Sequence, residues 1–418
     1  MIFRRVAIAM ILVVPPAMSQ TAGSPAKLIS KEDAVKIALA YNQSLRANRL
    51  NVDQSKANEI TAGLKPNPTL TVGVDAIPIF MPQTIRWDTQ IYSGSLSYTV
   101  EKGGKREKRV VVAKDNTQVA AQTVTDNERT LRFQVVQAFI NVLLAKSVLV
   151  LAKDDLANYS QVVELNHARL VAGDLAEGDY LKLSIQKLQF EQDVSAAVLG
   201  LVQARATLRQ LLGYESVTDD FDVKGTLVHS KPAVALEDLQ KKALDSRPDL
   251  LAAHTGVTLA NDTVSLAFGN RARDWTFGGD YGYQSPGQQG AGVSFSIDLP
   301  IHDRNQGEIA RSQVAVHQSM ETEASTKVGV QTDVVNAYYG LKSNEEIVDL
   351  YESGYLKQAS DSRDISTYAF QRGAATILDV LDAERSYRAT QLAYRQALAA
   401  QMIAVEQINQ AVGAQVIP

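Results

Sequence analysis

Two carboxylates, Asp379 and Asp382, stand three residues apart in the stretch F-Q-R-G-A-A-T-I-L-D-V-L-D-A-E over 370–384. On a helix that spacing points both groups to one side. A lone pair of this kind is most often a solvated helix face. Repeated around a symmetric aperture, it becomes rings of carboxylates that attract cations and hold the opening shut through hydrogen bonds to neighbours. The rest of the chain offers no enzyme constellation. The histidines, His167, His229, His254, His302 and His317, lack metal-ligand spacing, and there is no cysteine to join them. His302-Asp303 follows a strand pattern and reads as a turn and helix cap. Gly103-Gly104-Lys105-Arg106 lacks the spacing of a phosphate-binding loop and reads as a turn before a basic helix start. With no nucleophile, base or metal cluster in view, neither an enzyme nor a cofactor is expected.

The acids follow a glycine, Gly373, that breaks a long helical pattern. The earlier stretch G-D-L-A-E-G-D-Y-L over 173–181 occupies the same place in a similar pattern, so that Gly173 matches Gly373, Asp179 matches Asp379 and Leu181 matches Leu381. Lys182 then stands where the second copy has Asp382. The likeness extends back to the start of each copy. Ser30-Lys31-Glu32-Asp33 opens a first helix, with Ser30 as N-cap, and Glu237-Asp238 opens its counterpart. Ala38, Leu39, Leu45 and Ala47 meet Ala243, Leu244, Leu250 and Ala252 without a gap. Such a fixed offset indicates an internal duplication. The expected organisation is a leader over 1–19, a first repeat over 20–226 and a second over 227–418, with 214–235 as connector.

After each opening helix, which Pro66 and Pro68 end in the first copy, the apolar period changes to two. Leu70, Val72, Val74 and Ala76 alternate with Thr71, Gly73 and Asp75; Gly94, Leu96, Tyr98 and Val100 alternate with Ser93, Ser95, Ser97 and Thr99. The second copy repeats this over 275–283 and 293–299. Each strand has one apolar face and one face of Ser, Thr, Gly and Asp, and runs to the length of about ten residues that a tilted membrane strand needs. Four strands cannot close a membrane barrel, which needs about eight, so several chains would share one. The intervening stretches 77–88, which ends beside Trp87, and 284–290 read as loops. Long helical stretches follow, 105 to about 170 and 305 to about 370, each long enough to reach roughly 90–100 Å. Returning helices place Val380, Tyr387, Tyr394 and Ile408 on one heptad line, interrupted by Gln401, beside a line of Ala383, Thr390, Ala397, Ala404 and Ala411. A large line beside a small one suits close coiled-coil packing. Gly213 and Gly413 end these helices.

Composition agrees with long helices. Of 418 residues, 45% are hydrophobic and only 6% aromatic, and the net charge of -4 is too near balance to suggest nucleic acid. Arg4 and Arg5, an apolar run and Ala17-x-Ser19 form a secretory signal. The chain has no cysteine, so burial or oligomerisation must hold an exported fold together. No later run reads as a transmembrane helix, and a membrane form must use strands.

Duplicated halves of the order helix–strand–strand–helix–helix, with the D-V-L-D-A tip, resemble the TolC family of outer-membrane efflux proteins over nearly the whole mature chain. The stretch P-I-H-D-R-N-Q-G-E over 300–308 resembles the post-strand signature of the CzcC-like heavy-metal branch. The resemblance implies a mainly α fold with a transmembrane β-barrel: a homotrimer with a twelve-stranded barrel in outer-membrane lipid, continued by a helical coiled-coil tunnel in the periplasm. It also implies a periplasmic adaptor protein and an inner-membrane pump, of the RND type, as partners. Asp379 and Asp382 match the two acids of the family's periplasmic constriction. Phe370 and Ala375 stand where TolC itself has a tyrosine and an arginine, so its hydrogen-bonded latch is not expected in that form, and Lys182, at the first-copy position equivalent to Asp382, is the candidate for a substitute salt bridge. The function expected is a passive export duct for small solutes, divalent heavy-metal ions among them. The alternative is a periplasmic coiled-coil scaffold or adhesin without a pore.

Overall fold

The computed structural model describes residues 28–75, 90–284 and 287–417. The first copy runs β1 (Leu28–Ile29), α1 (Lys31–Tyr41), α2 (Gln43–Gly63), β2 (Thr69–Asp75), β3 (Ile91–Val100), α3 (Lys105–Val171) and α4 (Glu177–Leu212). After β4 (Asp222–Val223) the plan repeats with α5 (Leu236–Ser246), α6 (Pro248–Asn270), β5 (Trp275–Gln284), β6 (Gln288–Ile297) and α7 (Gln306–Leu350). A π-helical turn (Tyr351–Tyr355), α8 (Leu356–Gln371) and α9 (Ile377–Val412) complete it. The expected leader, Ala76, Trp87 and the 77–88 loop lie outside the described residues.

The period-two stretches form one antiparallel sheet in the order β2-β3-β5-β6. Its register places Leu70 opposite Leu96, Tyr98 opposite Phe277 and Phe277 opposite Phe295, so the apolar residues of all four strands share one face. Thr69, Ser97, Gly278 and Ser294 lie in one row on the other, where Thr99 and Thr276 join hydroxyls at 3.0 Å. Glycine on this face makes room for its neighbours: a Cβ on Gly278 would come within 2.4 Å of Ser294 Oγ. No helix lies across either face among the described residues, and Val293 is 95% exposed. Among the described residues, both edges, β2 and β6, are unpaired. The stretch expected as a loop over 284–290 is mostly strand, because β5 and β6 continue their pairing to Gln284 and Gln288.

Beneath the sheet the same core is built twice. Ala34, Ala38, Leu131, Val135, Leu208 and Leu212 pack together in the first copy, and Leu239, Ala243, Val330, Val334, Ile408 and Val412 in the second. Each fully buried Leu or Ile there contributes roughly 1.5–3 kcal/mol. The two copies meet where Val136 and Ile140 of α3 pack on Ala399 of α9. The middle of α3 is thus apolar on more than one side. By length and composition it is apolar enough to cross a membrane, contrary to the sequence reading, and its packing between the two copies accounts for that composition.

Three further departures from the sequence reading have local causes. Each opening helix is two helices, because the chain turns extended at Asn42 and at Arg247. Asn42 Oδ1 accepts from Leu45 N at 3.0 Å while its Nδ2 donates to Leu211 O at 2.9 Å. In the second copy Pro248 starts α6 and the Arg247 guanidinium donates to Ala411 O at 3.0 Å. Both side chains therefore tie the break to the last turn of the returning helix. The connector, read as irregular, contributes β4, which pairs in parallel with β1. Finally, the second long helix is interrupted at the π-turn, where Gly354 has φ 151°. Glycine alone tolerates that backbone well.

Candidate functional site at the helix tips

Both helix pairs turn back at a glycine in the left-handed region, Gly173 at φ 83° and Gly373 at φ 73°. The hydrogen bonds are the same in the two copies. Gly173 N donates to Leu170 O and Asp174 N to Arg169 O; Gly373 N donates to Phe370 O and Ala374 N to Ala369 O. This glycine-ended closure satisfies the last carbonyls of α3 and α8.

The start of the returning helix differs. Thr376 caps α9 in a reciprocal box, in which Asp379 N reaches the Thr376 hydroxyl and Thr376 N donates to Asp379 Oδ2 at 2.8 Å. The Thr376 hydroxyl also donates to Asp379 Oδ2 at 2.7 Å, and this bond, with the one from the Thr376 backbone, holds the Asp379 carboxyl below its ordinary range. At the same place in the first copy, Ala176 offers no side-chain cap. Asp379 is thus a capping group as well as an acid at the tip.

A small core fixes which way the acids face. Ile377 and Val380 are buried with Tyr159, Leu183 and Phe190, and Phe370 and Leu381 pack against them. Tyr159 and Phe190 stack with centroids 4.4 Å apart. With Val380 turned inward, Asp379, Asp382 and Arg385 form an exposed stripe on the opposite face. The Asp382 side chain is 80% exposed, and Arg385 approaches it only to 4.0 Å. Lys182 pairs within its own helix with Asp179 at 3.0 Å, rather than reaching Asp382.

Above this core lies a belt of charge in which Asp155 is buried and its partners are half-buried. Arg388 of α9 sits over the Phe190 ring at 4.1 Å, approaches Asp155 of α3 at 3.8 Å and pairs with Asp193 of α4. Burial raises the Asp155 carboxyl above its ordinary range, against the pull of Arg388, Arg395 and Arg363. Burial raises Glu384 likewise, opposed by Arg363 and reinforced by Asp155 and Asp364. Burial lowers Arg388. The belt joins α3, α4 and α9, and the ionised forms of Asp155, Glu384 and Arg388 within it are costly in place.

Sequence reasoning missed a second grouping. His229 of the connector meets Asp349 and Glu352 of the second copy, with one ligand atom from each lying within 4.8 Å of the others. His229 and Glu352 are 123 residues apart in sequence, so no local spacing announces them. The one available signal was Gln401, the polar interruption of an apolar heptad line. It is fully buried and donates to Ser230 O, next to His229.

Comparisons with known proteins agree with this architecture. The family model described as "Outer membrane efflux protein" matches residues 34–214 and 239–414, one match in each copy. The cobalt-zinc-cadmium resistance protein CzcC of Cupriavidus metallidurans is 24% identical over 382 residues, 91% of this chain and 88% of that protein. Among solved structures, a membrane protein from Pseudomonas aeruginosa superposes with a TM-score of 0.78 at 18% identity, covering 91% of this chain and 92% of that one. CusC, solved in a study of folding and transmembrane channel formation, gives 0.76 at 19% identity, covering 95% and 96%. With the family model spanning most of the duplicated fold, the chain belongs to the outer membrane efflux protein family.

Proposed function

We propose that three copies of this chain close a twelve-stranded barrel in the outer membrane and continue as a helical duct through the periplasm. The observation that supports this reading best is the four-stranded sheet, bare on its apolar face and unpaired at both edges. An apolar face that no helix covers suits lipid, and free edges suit pairing with the next chain's sheet. The Ser, Thr, Gly and Asp face then lines a wet lumen. In this reading the repeats divide as 20–226 and 227–418, behind a cleaved leader.

The duct is passive and takes its cargo from an inner-membrane pump of the RND type through a periplasmic adaptor. At its inner end Asp379 and Asp382 from three chains form acidic rings, and Gly173 and Gly373 set the tip turns. Lys182 serves the gate by holding Asp179 at the Gly173 tip, or by crossing to Asp382 of a neighbouring chain. The cargo includes divalent heavy-metal ions, a reading supported by the likeness to CzcC over most of its length and by the 300–308 signature.

The native mass of the protein extracted from outer membranes tests the assembly. A heat-dissociable complex of three chains is expected. A single chain free in the periplasm contradicts the duct and favours the scaffold. For the cargo, a strain lacking the protein becomes sensitive to zinc, cobalt or cadmium salts but not to dyes; the opposite pattern removes metals from the proposal.

A further inference from the structure

We propose that His229, Asp349 and Glu352 form a divalent-cation site of zinc or cobalt type, which straps the connector between the repeats to the π-turn of the second repeat. This proposal is separate from the cargo reading and stands whether or not the duct carries metal.

The donor set is one imidazole and two carboxylates, a combination suited to zinc and cobalt. Glu352 Oε2 lies 3.1 Å from His229 Nδ1, and Asp349 Oδ1 lies 3.9 Å from Nε2. The His229 side chain is only 14% exposed, and its Nε2 is buried without a hydrogen-bond partner. An imidazole nitrogen left in that condition costs free energy unless something occupies it. The charges leave room for a cation. Among the described residues the one cationic side chain besides His229 that pairs here is Lys231, which holds both Asp349 oxygens, at 2.6 and 2.7 Å, and leaves Glu352 without a lysine or arginine.

The site is held in place from outside, as a ligand site needs to be. Tyr394 of α9 donates to Glu352 Oε1 at 3.0 Å, which leaves Oε2 to face the imidazole. On either side of His229 the connector is anchored to α9: Val228 N donates to Met402 Sδ at 3.4 Å, and Ser230 O accepts from the buried Gln401 amide. This gives the polar break in the α9 heptad line a purpose. Glu352 sits inside the π-turn, a distortion that recurs at functional sites, and Gly354 supplies the backbone it needs. The unbroken α3 of the first repeat has no such turn. Three protein ligands leave a coordination position for water, so the ion that straps the two segments can exchange.

The test uses the full-length protein without a polyhistidine tag, stripped with chelator in detergent and titrated with Zn2+ by calorimetry. One saturable ion per chain is expected. His229→Gln and Glu352→Gln each weaken binding by about tenfold or more, while Asp382→Ala leaves this site unchanged. Lys231→Met tightens binding, because Lys231 competes for Asp349 while all three ligands remain; a role confined to ion pairing gives no such gain. No saturable ion overturns the proposal. So does binding that ignores His229→Gln, or that is lost instead with Asp382→Ala. If His229→Gln fails to fold, Lys231→Met decides, and unchanged or weaker binding refutes the site.

Discussion

The first repeat carries its outward helix as one 67-residue rod, α3, whereas the second divides the same path into α7, a π-turn and α8. The cores, the helix breaks and the glycine tips match between the copies; the polar groups attached to them do not. Asn42 and Arg247 hold equivalent breaks, one with a neutral amide and one with a buried guanidinium. Ala176 and Thr376 begin equivalent helices, one uncapped and one capped. The shared features are those that backbone satisfaction and burial require of any copy. The differing ones put the capped acidic stripe, the buried guanidinium and the two carboxylates that meet His229 in the second repeat, while the charged belt is shared with Asp155 and Asp193 of the first.

The largest effect that sharpens this comparison is expected at the breaks. Arg247 bonds Asp249 at 2.6 Å and Asp333 at 3.1 Å as well as Ala411 O. Arg247→Ala strands the half-buried Asp249 and is expected to cost about 3–5 kcal/mol in chemical unfolding. Asn42→Ala loses a cap and one side-chain bond, for about 1–2 kcal/mol. Equal losses would remove the distinction. Asp249 also fixes a sign in pH. Burial works against its ionised form, but Arg247 holds it below its ordinary range. Its contribution is therefore present above the ordinary carboxylate range and is lost as pH falls through the depressed value. Arg247→Ala abolishes that acid-side loss.

Next in size is the π-turn. Gly354→Ala, strained at φ 151°, is expected to cost about 1–3 kcal/mol and to loosen amide protection over 351–355, while α3 is unaffected. Smaller still are the tip caps. Thr376→Ala removes the box and about 1 kcal/mol from α9, whereas Ala176→Thr, with Asp179 already at the third position, adds a similar amount to α4. Amide exchange at the two tips then reverses its order; unchanged exchange would mean that tertiary packing alone sets tip stability. The smallest effect is in the charged belt, where the sign opposes that of Asp249. The Asp155 and Glu384 carboxyls lie above their ordinary range, so their contribution is full below that range and is lost as pH rises through the raised values. Asp155→Asn with Glu384→Gln flattens this part of the stability profile; a steeper one would refute the assignment.

Much of this was legible in the sequence for physical reasons. The strands were visible because alternation at Leu70, Val72 and Val74 has no helical reading, and the tips because Gly173 and Gly373 recur in one frame. Ser30, Gly213 and Gly413 cap helices as their types predict. The breaks at Asn42 and Arg247 were hidden because a single extended residue barely disturbs a 3.6-residue pattern. The β1–β4 pair was hidden because two residues carry no period. The π-turn adds local slack that periodicity absorbs, and the histidine cluster depends on tertiary approach alone. At the tips the acids were found, but the capping role of Asp379 required the geometry of Thr376.

Single-channel conductance in planar bilayers shows whether the protein is an export duct narrowed by acids at its periplasmic end. Asp382→Ala is the informative variant, because Asp379 also caps α9. The native protein is expected to give small, cation-selective currents, and Asp382→Ala larger currents with weaker cation preference. Absence of current from correctly assembled protein of both kinds, or identical conductance and selectivity in the two, would contradict a duct narrowed by acids.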